Sequence, residues 1–451
     1  MTSFPDIPAM TIHSVCKGAR EAARRGIAAT AMLTLLGGCS LSDLVDVDPT
    51  SVESVISAKD AQTYPAAVML YGGAVSTIAM ALSDYSFSTG LWTDELTSGV
   101  VATEESKLDA RTDSAFSGVD RPYGLLQAAR SSSVLAIAAL RKFPSHGVES
   151  KLAELYAIQG FTLVLLAEGY CAGVPISNVS ADGDIQNLGT HSTEALLTKA
   201  RALFDTALTF SVSNAGIQAL ARIGHARANL NLGQFSDIPR MVESVPFEAM
   251  YRLWYSSTDA NLAHWSANPR NLQAASIKNE EGRVGLRWID GSNDPRIPTQ
   301  AGGLQGKYWI TDTSTLANGI EARLMLGEAQ LQAASATDQR WLETLNALRA
   351  TQRTLGGVRL LPDLSDPGTP ASRVDLFFRE RALWLYLTGH RQGDLRRLIR
   401  QYGRVVESVY PQGEYPNVTF PTYSANVVFP IRDESTGDPV FGPGGCHDFN
   451  P

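Results

Sequence analysis

Asp94 and Glu95 follow Trp92 closely, and a carboxylate pair beside an indole is the first place to look for sugar chemistry. A glycoside hydrolase needs two carboxyl groups that flank the scissile bond from two sides. Adjacent side chains point different ways, so this pair does not meet the requirement. Oxygen ligands for calcium occur in Asp290-Gly291-Ser292-Asn293-Asp294 and in Asp182-Gly183-Asp184. Neither matches an EF-hand loop. Turn chemistry accounts for both runs, and calcium is kept only as an alternative. The histidines His13, His146, His191, His225, His264, His390 and His447 show no ligand spacing; His225 and His390 read as packed or surface residues. No phosphate-binding loop, G-x-S-x-G or H-E-x-x-H motif is present. The expectation is therefore no catalytic residue and no metal centre.

Aromatic residues carry more information. Sugars present apolar C–H faces that stack on indole and phenol rings, while their hydroxyls need polar partners. Tyr85, Trp92, Trp254, Tyr255, Trp265, Trp288, Tyr308 and Trp309 fall in or beside irregular stretches, with Asn261, Asn268, Arg270, Asn293 and Asp294 near several of them. Most large aromatics are core residues. Two or three of this group are expected in a ligand groove, and Trp92, Trp254, Tyr255, Trp265, Trp288, Asn293 and Trp309 are the candidates.

Cys39 offers a different chemistry. Leu35-Leu36-Gly37-Gly38-Cys39-Ser40 resembles a bacterial lipobox, in which the cysteine is lipidated and becomes the mature N-terminus. Lys17, Arg20, Arg24 and Arg25 form a basic region ahead of the short apolar run Gly26–Leu36, as in secretory signals. Translation could start at Met1 or Met10. Residues 1–38 then read as a signal peptide and 39–50, with Asp43, Asp46 and Asp48, as an acidic tether. Stable anchoring takes more than one acyl chain, which a multiply acylated Cys39 supplies. Beyond Cys16 and Cys39 the sequence has two cysteines, Cys171 and Cys446, and two thiols in an exported chain either pair or stay free.

The chain has 451 residues, with 38 basic and 46 acidic ones. Residues 1–38 hold four of the basic and two of the acidic, leaving 34 against 44 and a net charge of −10 after the signal. That balance lacks the electrostatic footprint of a nucleic-acid binder.

These residues must be positioned by helices. Helical periodicity predicts segments at about 122–141, 149–170, 193–210, 217–232, 317–334, 339–354, 373–388 and 394–402. A stretch at 245–316, rich in Asn, Ser, Gly and aromatics, reads as loops with short strands, and the tail from Pro411 has seven prolines. Residues 219–241 and 320–333 echo the small/large alternation of tetratricopeptide repeats, in which helix pairs stack because one pair cannot bury its face alone. The fold expected is mainly α: a tetratricopeptide-like scaffold over about 120–245 and 317–402, a loop-rich ligand-binding region at 245–316, and an irregular tail at 403–451.

Four segments are similar to the SusD/RagB family of outer-membrane lipoproteins. The first runs from Glu380-Arg381 through Gly389-His390-Arg391 to Asp394-Leu395-Arg396-Arg397. The second leads from Asn318–Gln330 to Leu345-Asn346-Ala347-Leu348-Arg349. The third is Phe161–Pro175, and the fourth Phe429-Pro430-Ile431-Arg432-Asp433-Glu434 with Asp438-Pro439. The family usually has Glu where this chain has Trp384 and Thr388. Read bottom-up, Gly389 ends a helix in a left-handed cap, and Asp394 caps the next helix and pairs with Arg391 or Arg397. Glu380 and Arg381 lie on an apolar helix and are expected to be buried with partners. The resemblance implies a single domain over 51–451 that is not an enzyme. It implies a lipid-anchored protein at the outer membrane, facing the cell surface, that captures oligosaccharide or peptide for a SusC-like TonB-dependent transporter. The other reading is a helical-repeat lipoprotein that scaffolds an envelope complex without binding a nutrient. If Cys171 and Cys446 pair, the bridge pins the tail to the end of a central helix.

Overall fold

The structure, a computed structural model, describes residues 62–431 apart from 100–102, 113–115, 180–184, 257, 260–261, 268–275, 278–279, 290–293, 299–306, 309–312, 354–356 and 416–418. Cys39, Asn293, Trp309 and Cys446 lie outside the described residues, as do Asp182 and Asp184. Helices dominate. In chain order they are α1 (Tyr64–Trp92), α2 (Glu104–Asp109), α3 (Phe116–Leu140), α4 (Glu149–Gly169), α5 (Thr193–Phe210), α6 (Ala215–Asn231), α7 (Ile238–Val242), α8 (Gly319–Ala333), α9 (Arg340–Ala350), α10 (Pro370–Trp384) and α11 (Arg391–Arg400).

Successive helices stack, α1 on α3, α3 on α4, α4 on α5, α5 on α6, and α8 on α9. This is the expected helical-hairpin scaffold. Its centre is α4, which is apolar all round and buried from Leu152 to Gly169 except at a few positions of its first turns. A helix without a polar face must be covered on every side, and α3, α5 and α6 do this. Small residues let α5 come close. The Phe204 ring lies against Gly160 of α4 and Gly224 of α6, where an added Cβ would stand 2.6 Å and 2.2 Å from ring carbons. Phe204 also meets Phe161 edge to face, with ring centroids 5.2 Å apart.

Helix α1 was not among the predicted segments. It lacks the usual contrast between an apolar and a charged face. From Thr63 to Ser83 it carries no charged residue. Its start is nevertheless well signalled by Thr63 at the N-cap and Pro65 in the first turn. Two other boundaries move for local reasons. Helix α10 begins at Pro370 because the Thr369 hydroxyl accepts the Ser372 N–H at 3.2 Å. It stops at Trp384, short of the expected Thr388. Leu387 and Gly389 then turn the chain with φ of 53° and 75°.

Among the described residues, two antiparallel strand pairs punctuate the helices. One pairs β1 (Val174–Val179) with β2 (Ile185–His191). The other pairs β3 (Met250–Leu253) with β4 (Ser314–Asn318), so the irregular stretch is closed at its base by two strands far apart in sequence. β4 runs straight into α8, whose N-cap Asn318 accepts the Glu321 N–H at 2.8 Å. The described residues after α11 form a short 3-10 turn and irregular chain.

Candidate ligand-binding site

Trp254 immediately follows β3. Strand alternation carries Met250, Arg252 and Trp254 outward while Leu253 is buried. The Trp254 side chain is 73% exposed, which is unusual for so large an apolar group. It lines a cavity of about 220 Å³ together with Ser76, Ala79 and Met80 of α1 and with Tyr255, Ser256 and Leu262. The Tyr255 hydroxyl donates to the Ala79 carbonyl at 2.9 Å, which fixes this rim to α1. The Ser256 hydroxyl accepts the N–H groups of Thr258 and Asp259 at 3.2 and 2.9 Å. The Ser256 N–H donates to the Leu262 carbonyl at 2.9 Å, so the loop closes on itself. The walls carry no charged side chain. This is a site for an uncharged group with an apolar face.

The other aromatic candidates separate clearly. Trp92 is fully buried and meets Phe429 edge to face at 4.9 Å. Trp265 packs on Phe87, and its backbone N–H donates to the Ser83 hydroxyl at 2.7 Å. Trp288 packs on Tyr386 at 5.1 Å, with the Arg391 guanidinium over its ring. These three are core residues and present no face to a ligand, because helices and the C-terminal segment close over them. Tyr85 and Tyr308 are buried as well. Of the candidates within the described residues, Trp254 and Tyr255 alone reach the cavity. The α1 residues that complete it, Ser76, Ala79 and Met80, were not anticipated. The charge-free run of α1 was the available signal.

The carboxylates near Trp92 are structural. Both Asp94 oxygens accept from Arg391, at 2.7 and 2.8 Å. Glu95 is buried and accepts the Leu387 N–H at 2.8 Å; burial pushes its carboxyl up to about 8. Lys307, which donates to the Tyr386 carbonyl, is lowered by burial to about 8, partly opposed by Glu95. The Asp294 oxygens are taken by Arg296 at 2.9 and 2.6 Å, which leaves a closed turn in place of a calcium ligand. Among the described residues no group of three or more metal-ligating side chains occurs.

The segment Glu380–Arg397 forms a buried charge network. Glu380 receives Arg296 at 2.6 Å and Arg349 at 2.8 Å. Arg381 binds Asp394 through two hydrogen bonds at 3.0 and 2.9 Å, and Arg397 adds one at 2.6 Å. The two arginines hold the Asp394 carboxyl well below the usual carboxylate range in spite of its burial. Asp394 lies inside the first turn of α11, whose N-cap is His390, so it is not the cap expected from the sequence. Arg391 is engaged by Asp94 instead. Arg396 donates to the carbonyls of Ala167 and Glu168, closing the C-terminal end of α4.

No family model and no curated protein matches the chain. Solved structures do. A SusD superfamily protein from Bacteroides vulgatus matches with a TM-score of 0.57 at 14% identity, over 84% of this chain and 98% of that one. A second, from Bacteroides thetaiotaomicron, gives 0.59 at 13% identity over 78% and 96%. A SusD-like carbohydrate binding protein from Bacteroides vulgatus gives 0.55 at 10% identity over 73% and 82%. The chain therefore has the fold of the SusD superfamily structures.

Proposed function

We propose that this chain is a surface-exposed, lipid-anchored binding protein of the SusD/RagB type. It captures an oligosaccharide and delivers it to a SusC-like TonB-dependent outer-membrane transporter, without turning the ligand over. The anchor is lipid on Cys39. The observation that carries this reading is the exposed Trp254 indole on an uncharged cavity. An indole left 73% exposed has no structural duty that explains it, and it is the group on which a sugar ring stacks. A scaffold that only assembled an envelope complex would not need such a cavity. The fold supports the reading, since a neighbour of the same architecture is a carbohydrate binding protein. Peptide is the alternative ligand, and an apolar side chain would have to fill the same cavity.

A glycan and peptide array tests this directly. A soluble form beginning after Cys39 is expected to bind glycans and to lose that binding with Trp254→Ala. Peptide-only binding, or glycan binding indifferent to Trp254, overturns the ligand assignment. Metabolic palmitate labelling checks the anchor, with incorporation expected in the native chain and none in Cys39→Ala.

A further inference from the structure

Helix α1 presents an unusual surface. At 100° per residue, Met69, Gly73, Ser76 and Met80 fall on one face, opposite the buried Ala74, Ile78, Ala81 and Tyr85. Met69 is 64% exposed, and Gly73 is exposed too. A Cβ built on Gly73 meets nothing within 4 Å. The stripe is continuous with the Trp254 cavity, because Ser76 and Met80 belong to both. From Met80 to Met69 it runs roughly 16 Å at the α-helical rise.

Charge decides what can lie on it. Solvent faces of helices ordinarily carry charged side chains. Here none occurs between Thr63 and Ser83. On the opposite wall, residues 253–262 contain one charged residue, the exposed Asp259, and the exposed Arg252 precedes them on the outward face of β3. An anionic ligand would find no counter-charge among the residues that line the cavity or along the α1 stripe, and the nearest charges, Arg252 and Asp259, are of opposite sign. A neutral chain with apolar C–H faces loses nothing by lying here, since its hydroxyls stay in water while its rings cover methionine and glycine.

We propose that the ligand is a neutral, linear oligosaccharide that lies along α1, with one ring in the Trp254 cavity and the following rings over Ser76 and Gly73 toward Met69. This rests on the glycan-binding reading above and adds a direction and a charge class to it.

Calorimetric titration of the full chain in detergent tests the path. The ligands are di- and hexasaccharides of the maltose, cellulose, xylan and mannan series, with a polyuronate hexasaccharide as the anionic probe. In the neutral series that binds, the hexasaccharide is expected to bind about tenfold or more tighter than the disaccharide, which is about 1.4 kcal/mol. Gly73→Glu puts a bulky charge across the path in open space, where a helix tolerates it. It should bring the hexa- to disaccharide ratio toward one. Val212→Glu, at an 80% exposed position away from the cavity lining, should keep the ratio. The polyuronate should bind about tenfold or more weaker than its neutral counterpart. A native chain with no length preference, a ratio that survives Gly73→Glu, or a polyuronate that binds as tightly overturns the path and the charge class while leaving Trp254 as the binding residue. If Trp254→Ala alters binding of no glycan, both this proposal and the reading beneath it fall.

Discussion

Arg391 and Asp94, 297 residues apart in the chain, face each other through two parallel hydrogen bonds at 2.7 and 2.8 Å, and both side chains are buried. Asp94 sits just past the end of α1 and Arg391 opens α11, so the pair joins the first described helix to the last. It also explains why the carboxylate beside Trp92 does no chemistry: a fork-shaped guanidinium already occupies both its oxygens.

Breaking that pair should be costly in one direction. Asp94→Ala leaves a guanidinium buried without its partner, and it also frees the Leu286 N–H that Asp94 accepts at 2.8 Å. The expected loss is about 3–5 kcal/mol. Removing both charges with Asp94→Leu and Arg391→Met should recover part of it, since the desolvation of two ions disappears together. Urea unfolding of the two variants checks the order; a double variant less stable than the single one contradicts it.

The Glu95 carboxyl gives a pH signature. Its folded-state value of about 8 lies above the unfolded one of about 4.3. The folded chain thus holds this proton more tightly. The stabilisation is complete below the unfolded value and is lost as pH rises toward 8. Lys307 acts in the next window, because a lysine lowered to about 8 loses stabilisation as pH falls from the unfolded value of about 10.4. Glu95→Gln keeps an oxygen for the Leu387 N–H and removes the first limb. Its guanidinium midpoint should gain on the native chain steadily between pH 5 and pH 8. A constant difference across that range would falsify this assignment.

The sequence made the scaffold legible where periodicity and stops coincide. Helix α5 was predicted as found, because Leu196, Ala200, Leu203 and Ala207 share one face that Leu197, Phe204 and Leu208 widen; the structure buries Leu196, Leu197, Ala200, Phe204 and Ala207 of these, and Ser192 caps the start. Helix α1 escaped for the opposite reason. Its exposed face is as uncharged as its buried one, so no contrast reported a helix. The same missing contrast hid half of the site, since Ser76, Ala79 and Met80 look like core. Trp254 could be proposed as a candidate but not told apart from Trp92, Trp265 and Trp288. Residue type and loop context are alike in all four. What separates them is which are covered by distant segments: Phe429 over Trp92, Tyr386 beside Trp288, and Phe87 against Trp265.

Gly224 offers a packing test. Alanine favours a helix over glycine by about 1 kcal/mol. At this position the new methyl would stand 2.2 Å from the Phe204 ring, in a core with no slack. Overpacking of this kind costs about 1–3 kcal/mol. Gly224→Ala should therefore lower the thermal midpoint in spite of its helix propensity. Phe204→Leu combined with Gly224→Ala should stand closer to the native chain than the sum of the single changes. Strict additivity would show that the two positions do not share the space.

The last test concerns the tail. Cys171 is buried and disulfide-bonded at the first residue past Tyr170, where α4 ends. Its N–H donates to the Phe429 carbonyl at 3.1 Å, and the Phe429 N–H returns to the Gly169 carbonyl at 2.8 Å, so the segment around Phe429 runs beside it. Cys16 and Cys39 fall to the signal peptide and the lipid on the reading above, which leaves Cys446 as the partner we propose. A bridge between them constrains the unfolded chain over a long loop, an effect typically worth about 2–4 kcal/mol. Cys446→Ala should lower stability by that order, and the same loss should follow reduction of the native chain. Peptide mapping of the unreduced mature protein should recover Cys171 and Cys446 in one cross-linked fragment. Equal thiol counts with and without reductant in the denatured protein would remove the bridge, and the tail would then be held by the Phe429 backbone bonds and by Gln392, whose side-chain amide donates to the Val427 carbonyl at 2.8 Å.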